Sequence, residues 1–367
     1  MTNILLHKSL FYSKLYLWYG INKRNLPWRL TQDSYTIWVS EVILQQTQVK
    51  QGLPYFESFI KTFPTVVDLA NATEDEVLTK WKGLGYYSRA RNMHKAAKMV
   101  VELMNGVFPI SYNDLLKLPG IGSYTAAAVA SFSSNEPVAV LDGNVFRVLA
   151  RLFGNSTPIN SSQGKKQFQT LTDELVDSDN SAQFNQAIME FGALHCTPSN
   201  PNCNHCPFNT FCNAFINNDV SSYPVKIKAN ERRSRFLNFY FITNNSSFIA
   251  TKRFGKDIWE NLYQLPLIER DVNGSIVYKD SFFEDGFFIN QFNEFQLASS
   301  VTHLLSHQHL TINFYALMVD SNLFSDFVKQ RSANCYVIHF SDIKHVAFPI
   351  PITRFLDQVA SLTQVTQ

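Results

Sequence analysis

Four of the five cysteines stand within seventeen residues, at Cys196, Cys203, Cys206 and Cys212, separated by six, two and five residues. Disulfides suit such close neighbours less well than one inorganic centre shared by all four. Four soft sulfur donors match either an iron–sulfur cluster or a zinc ion. A structural zinc site built from four cysteines usually shows two C-x2-C pairs on separate turns, and only Cys203 and Cys206 form one here. Whatever fold surrounds this segment must bring its sulfurs to one centre. Cys335 lies far from the others and reads as a buried thiol.

A chain of 367 residues exceeds one ordinary domain, so two are expected, and 45% hydrophobic residues support real cores. A formal net charge of +2 does not by itself announce nucleic acid. Any DNA contact must come from a local patch and from backbone amides. The opening stretch is apolar but interrupted by His7, Lys8 and Lys14, and it lacks the basic start of a secretory signal. It reads as an amphipathic helix. No apolar run approaches the roughly 20 residues of a membrane span, and the cysteine usage asks for no oxidising compartment. The expectation is an intracellular metalloprotein.

The first part, to about residue 215, has helical texture. Asp33 or Ser34 can cap a helix running through Ile37, Trp38, Glu41 and Gln45. Thr73 and Glu76 have the spacing of a capping box for a helix over 74–81. Further helices are expected over 87–104 and 181–195, the last ending beside the first cysteine. Residues 226–235 hold five basic residues against one acid, either a phosphate-facing linker or a solvated connector. Beyond them the pattern alternates. A hairpin is expected around Asn244-Asn245, with strands at 311–319 and 334–340 and helices near 321–331 and 353–361. The second part is therefore α+β.

Leu118-Pro-Gly-Ile-Gly122 runs directly into Ser-Tyr-Thr-Ala-Ala-Ala-Val-Ala130. Glycines at 120 and 122 permit φ > 0 and close approach, and the N–H groups of the helix start suit a phosphate oxygen. With Asp142 further along and the cysteine segment beyond it, this resembles the helix-hairpin-helix, Gly/Pro-rich loop, aspartate and 4Fe-4S loop of the endonuclease III superfamily of DNA repair glycosylases. Within that superfamily, Trp38-Val-Ser-Glu-Val-Ile-Leu-Gln-Gln-Thr-Gln48 resembles the signature of the MutY-type adenine DNA glycosylases. So do Gly83-Leu-Gly-Tyr-Tyr-Ser-Arg-Ala-Arg91 and Val140-Leu-Asp-Gly-Asn-Val-Phe-Arg-Val148. The resemblance implies a mainly α fold, a helix-hairpin-helix DNA glycosylase with a 4Fe-4S loop over 1–225. A basic linker over 226–235 and a C-terminal α+β, Nudix-like (MutT-like) domain over 236–367 would follow. It implies one 4Fe-4S cluster held by Cys196, Cys203, Cys206 and Cys212. The expected partner is double-stranded DNA containing A:8-oxoguanine or A:G, met by a monomer in the cytoplasm, at the nucleoid, and not at a membrane.

Cleaving an N-glycosidic bond makes cationic character at C1′ and negative charge on the departing base. An acid near the purine and a carboxylate near the sugar answer both demands, provided their environments differ. Glu41, on a largely apolar helix beside Trp38, Val42 and Ile43, is the expected general acid. Asp142 is the expected stabiliser of the sugar cation, and the resemblance gives Asn144 the task of holding it. Bifunctional members carry a lysine where Tyr124 stands, and a phenol forms no imine. The expected enzyme is therefore monofunctional, with Tyr124 orienting or shielding Glu41.

The base must leave the duplex to be reached. By resemblance Gln46 and Tyr86 wedge into the stack, Arg29 and Gln186 approach the adenine edge, and Gly120 and Gly122 meet phosphate. The alternative for Arg29 is one half of a surface ion pair, and for Gln186 a helix contact. Lys50, Lys82, Arg89, Arg91, Arg147 and Arg151 are further expected phosphate contacts. In the second domain the glutamate-rich helix of a working Nudix hydrolase is missing, Glu284-Asp285 being the nearest acidic pair. A recognition module without phosphohydrolase activity is expected. Leu305-Ser-His307 lies where the family usually has Phe-Ser-His, so Ser306 and His307 would read the 8-oxoguanine with one ring face fewer. The tract from Trp259 to Pro266 reads as strand-entry packing.

Overall fold

The computed structural model describes residues 8–228, 231–244, 246–280, 295–329 and 334–365. His7, Asn245 and the Glu284-Asp285 pair lie outside the described residues. The helices in the first part are α1 (Lys8–Asn22), α2 (Ser34–Leu44), α3 (Val49–Thr62), α4 (Val66–Asn71), α5 (Glu74–Lys80) and α6 (Ser88–Leu103). They continue with α7 (Tyr112–Leu115), α8 (Ser123–Ser134), α9 (Gly143–Phe153), α10 (Ser162–Leu175), α11 (Ser181–Leu194) and α12 (Asn213–Ile216). The strands are β1 (Arg233–Thr243), β2 (Ser247–Lys252), β3 (Tyr263–Gln264), β4 (Leu267–Arg270), β5 (Ile276–Lys279), β6 (Gln296–Leu304), β7 (Gln308–Met318) and β8 (Cys335–His339). Two more helices, α13 (Ser321–Lys329) and α14 (Ile350–Val365), accompany the strands. Among the described residues no helix is long and apolar enough to cross a membrane.

The chain divides into two compact units. One comprises residues 1–71 and 92–228, and the other residues 72–91 and 229–367. In the first, Phe11 and Leu15 of α1 share a core with Val145, Val148 and Leu149 of α9, Phe184, Ile188 and Phe191 of α11, and Phe208. The strongly amphipathic pattern of α9 explains its place, its apolar face covered by α11 and α12. Phe208 lies between Cys206 and Cys212, so the cysteine segment is itself anchored in this core. Lys14 of α1 adds a hydrogen bond to the Pro207 carbonyl at 2.8 Å.

The second unit is a mixed sheet. Strand β1 pairs with β7 in parallel and with β2 and β4 antiparallel, while β6 pairs with β7, β3 and β8 with β2, and β5 with β4. Strand β1 is buried on both faces, and its side chains divide with period two. Leu237, Phe239 and Phe241 pack with Ile352, Phe355 and Leu356 of α14, whereas Tyr240 and Ile242 pack with Phe324 of α13. Residues 72–91 contain the expected capping box of Thr73 and Glu76 and are tied to this unit by long-range bonds. Asp75 holds Lys252 at 2.8 Å and Glu74 accepts from Asn261 at 2.6 Å.

Within the basic stretch Lys226, Lys228, Arg232 and Arg233 are exposed, and Arg235 departs from both expectations. The last residues of the stretch enter β1, and Arg235 is buried between Glu269, Asp257 and Gln308. A guanidinium with three internal acceptors is a structural cation, neither phosphate-facing nor solvated.

Candidate active site

The first unit holds a cavity of about 560 Å³ lined by Arg29, Glu41, Tyr124, Asp142, Asn144 and Gln186, among others. The structure thus brings six of the sequence-chosen residues to one place. Asp33 starts α2 by accepting from the Thr36 N–H at 2.7 Å, and the helix is then buried nearly throughout. Glu41 sits in its last turns, 5% exposed. Tyr124, in the first turn of α8, donates its hydroxyl to Glu41 Oε2 at 2.6 Å. Burial pushes the Glu41 carboxyl up to about 7, the tyrosine hydrogen bond pulls it down, and Asp142 pushes it up again. A carboxyl that keeps its proton near neutrality can give it away.

Asp142 caps α9, accepting from the Val145 N–H at 2.7 Å and from Asn144 Nδ2 at 2.8 Å. Burial raises its carboxyl above the ordinary range, and these donors, with Arg147, oppose the shift. The two acids therefore differ in kind. Glu41 has one neutral hydroxyl as donor, while Asp142 has the amides of a helix start, which favour a carboxylate. Asn144 is positioned in turn: its Oδ1 accepts from Arg147 at 2.9 Å, and Gly192 leaves it space, since a Cβ there would stand 2.7 Å from the Asn144 Cβ.

Arg29 is an ion-pair partner, but of a buried acid. With Arg24 it clasps Glu190, whose side chain is 1% exposed, at 2.8 Å from Arg29 and 2.5 Å from Arg24. The two guanidiniums outweigh burial and hold Glu190 down at about 2. Gln186, one turn earlier on α11, accepts from the Tyr19 hydroxyl at 2.8 Å. Glu190, Arg24 and Tyr19 escaped the sequence reading. The spacing of Gln186 and Glu190 on one helix face was the available signal.

The hairpin glycines differ from each other. Gly120 adopts φ +78°, and a Cβ there would strike Asn92 at 2.6 Å. Gly122 corrects the expectation of a second positive φ, for it is extended at φ −92° as the N-cap of α8. It is exposed, so the helix start is uncovered. Gln46 also stands in the left-handed region at φ 55°, exposed and outside the cavity lining.

Most of the expected phosphate cations are corrected. Arg147 donates to the carbonyls of Cys196 and Gly192, and Arg151 to those of Val220, Tyr223, Thr197 and Pro198. Arg91 pairs with Glu260 at 2.8 Å, Arg89 donates to the Leu84 and Gly85 carbonyls, and Lys82 donates to Ile343 O. Such groups are spent on the fold. Lys50 is exposed and lines the cavity.

The four clustered cysteines are free thiols and line one small cavity of about 20 Å³. Cys196 Sγ accepts from Arg151 Nη1 and Cys206 Sγ from the Phe208 N–H, both at 3.4 Å. Burial pushes the Cys206 thiol up to about 12. No group of three or more His, Cys, Asp or Glu side chains among the described residues is arranged to hold a single metal ion. The sulfurs share a cavity without closing on one point.

In the second unit, Ser306 and His307 form the exposed tip of the β6–β7 hairpin, closed by Leu305 N–H to Gln308 O at 2.9 Å. They line a cavity of about 690 Å³ together with Tyr86, Trp259 and Leu305. Tyr86 is 49% exposed and left-handed at φ 49°.

Residues 39–175 match the family described as HhH-GPD superfamily base excision DNA repair protein. An adenine DNA glycosylase of Buchnera aphidicola subsp. Baizongia pistaciae is 34% identical over 355 residues, 95% of this chain and 96% of the relative. The adenine DNA glycosylase of Homo sapiens is 42% identical over 213 residues, covering 56% of this chain and 39% of that one. Among solved structures, a thermostable thymine-DNA glycosylase is similar at TM-score 0.53 and 28% identity, covering 57% of this chain and 97% of its own. Endonuclease III in a non-covalent DNA complex shares the fold at TM-score 0.51 and 21% identity, over 59% of this chain and 98% of its own.

Proposed function

The chain belongs to the adenine DNA glycosylase family of base excision repair, hydrolases of N-glycosyl bonds, and from that premise we propose that it excises adenine mispaired with 8-oxoguanine or guanine in double-stranded DNA. The observation that carries this reading is one cavity holding a carboxyl raised to about 7, Glu41, and a second carboxyl hydrogen-bonded by a helix start, Asp142. Glu41 protonates the flipped adenine, and the developing negative charge on the base is neutralised as the bond breaks. Asp142, held by Asn144, faces the cationic sugar with a carboxylate until a water molecule, giving a proton to the now ionised Glu41, adds to C1′. Tyr124 offers no amine, so the product is an abasic site in an unbroken strand. Arg29 and Gln186 meet the adenine edge, while Gln46 and Tyr86 enter the stack. The uncovered start of α8 at Gly120 and Gly122 takes a phosphate. The second unit is a Nudix-like recognition module in which Ser306 and His307 read the opposing base.

Cys196, Cys203, Cys206 and Cys212 would hold one 4Fe-4S cluster. Four thiols around a common cavity, two with N–H donors to sulfur, support that fit, because each thiolate of such a cluster meets its own iron. When bound, such a cluster would supply a cross-link ordering residues 196–212. We place the protein as a monomer in the cytoplasm, at the nucleoid.

A single-turnover assay of adenine release from duplexes with 8-oxoguanine, guanine, cytosine or thymine opposite the adenine tests the reading. Release confined to the first two, and lost in Glu41→Gln, is the expected result. Strand scission by the pure protein, without alkali or heat and at the rate of base release, would overturn the monofunctional step.

A further inference from the structure

Trp259 is left-handed at φ 61°, a conformation that a bulky residue rarely adopts, and Asn261 two positions on is left-handed at 63°. Such backbone persists only where its surroundings over-determine it, and it gathers at ligand sites. The surroundings here are specific. Asn261 is tied by its side chain to Glu74 and by its N–H to Arg253 O. Asp257, just before Trp259, is gripped by Arg235 at 2.8 and 2.9 Å and by Arg253 at 2.5 Å. Arg235 also donates to Gln308 at 3.1 Å, the residue that closes the Ser306–His307 turn. One buried guanidinium therefore ties together two of the segments that line the cavity of this unit, the one carrying Trp259 and the one carrying Ser306 and His307.

Two left-handed aromatic residues, Tyr86 and Trp259, line that cavity beside a hydroxyl and an imidazole, with Leu305 contributing only an aliphatic surface. Trp259 is half-buried against the unit's core, and its ring centroid lies 6.1 Å from that of His303. Planar apolar faces with a few polar groups at the edge are how proteins hold a nucleobase outside its stack.

We propose that Trp259 is a specificity-determining residue, the second aromatic wall against which the oxidised purine opposite the excised adenine is read, with Arg235 as the positioning residue that sets it beside Ser306 and His307. The proposal rests on the reading of the second unit as a recognition module. It goes beyond that reading by assigning recognition to a tract that sequence alone reads as packing.

The test uses the full chain and two duplexes that carry a 2′-fluoro adenosine, uncleavable because the fluorine disfavours a sugar cation, opposite either 8-oxoguanine or guanine. Affinities are compared for the unchanged protein, Trp259→Phe and Trp259→Leu. Base–aromatic stacking predicts a loss of about 5- to 100-fold on the 8-oxoguanine duplex for Trp259→Leu, with Trp259→Phe close to the unchanged protein; because Ser306 and His307 admit only the oxidised purine to that wall, the guanine duplex should be little affected. Quenching of tryptophan fluorescence by the 8-oxoguanine duplex should also be smaller in Trp259→Phe than in the unchanged protein. Equal losses on both duplexes, or a leucine variant that discriminates as the unchanged protein does, would overturn the assignment while leaving the recognition module standing. If the unchanged protein itself binds both duplexes alike, the module reading fails and the assignment falls with it.

Discussion

The two cavities are built in opposite ways. In the first unit the chemistry-bearing groups stand on regular helices: Glu41 deep in α2, Asp142 at the start of α9, Tyr124 in the first turn of α8. Their properties come from burial, which lifts the Glu41 carboxyl toward neutrality without a strained backbone. In the second unit the groups stand on loops and turns, exposed at Ser306 and His307 and left-handed at Tyr86 and Trp259. The placement of Trp259, Ser306 and His307 comes from a buried charge network around Arg235. Proton transfer needs a group whose affinity has been altered, and desolvation alters it. Reading a base needs groups that reach out, and only a rigid foundation lets exposed side chains hold a fixed position.

The sharpest way to break this division is Glu41→Gln. Loss of a general acid should cut single-turnover adenine release by about 10²- to 10⁴-fold, while binding of the A:8-oxoguanine duplex persists. If binding fell as far as release, the acid would belong to recognition and the contrast would collapse. Next in size is Arg235→Met. It leaves Glu269 and Asp257 without their shared cation, and breaking a buried pair from one side costs about 3–5 kcal/mol. Urea denaturation should show that loss, and Glu269→Met added to it should recover part of the stability. A variant as stable as the starting protein would mean that the second cavity does not rest on this network.

Acid stability tests the ion pairs beneath the first cavity. Glu190 is held near 2, below its ordinary value of 4.5, by Arg24 and Arg29. A depressed carboxyl contributes stability that is complete above the unfolded value and is lost as pH falls through the folded one. Stability of the protein should therefore drop between pH 4.5 and 2, and Glu190→Gln should flatten that drop while lowering stability at neutral pH. Thermal melting across this range, in the two proteins side by side, measures it. An unchanged slope would remove Glu190 from the account.

Sequence patterns exposed the local devices well. The Asp33 cap, the Thr73–Glu76 box, the β1–β2 hairpin and the helix ending at the cysteines each depend on residues a few positions apart, and each is present. The six residues of the first cavity were reached through motif resemblance, because nothing in their spacing says that α2, α8 and α9 meet. Glu190 remained hidden for the same reason. A lone glutamate in a helix looks solvated, and its partners Arg29 and Arg24 lie 161 and 166 positions away. Arg235 was misread because a run of basic residues carries no mark of the one that turns inward at a strand start. Arg147 and Arg151 were misread likewise, since charge in a sequence does not reveal that backbone carbonyls will consume it.

The smallest effect isolates one hydrogen bond in the first cavity. The Tyr124 hydroxyl donates to Glu41 and so favours the ionised carboxylate, against the burial that favours the acid. With Glu41 as the proposed general acid, base release should decline as pH rises through about 7. The requirement for ionised Asp142, itself raised by burial, supplies the acidic limb. Replacing Tyr124 by Phe removes the one donor to Glu41 without adding charge. Burial and Asp142 are then opposed only by the more distant charge of Arg29, the carboxyl holds its proton more tightly, and the alkaline limb should move upward by about one pH unit, the equivalent of one charge-assisted hydrogen bond. The rate at neutral pH would change only a few-fold. A limb that moved downward, or did not move, would mean that desolvation of Glu41 is not what readies the proton, and the contrast between a buried chemical cavity and an exposed reading cavity would lose its first half.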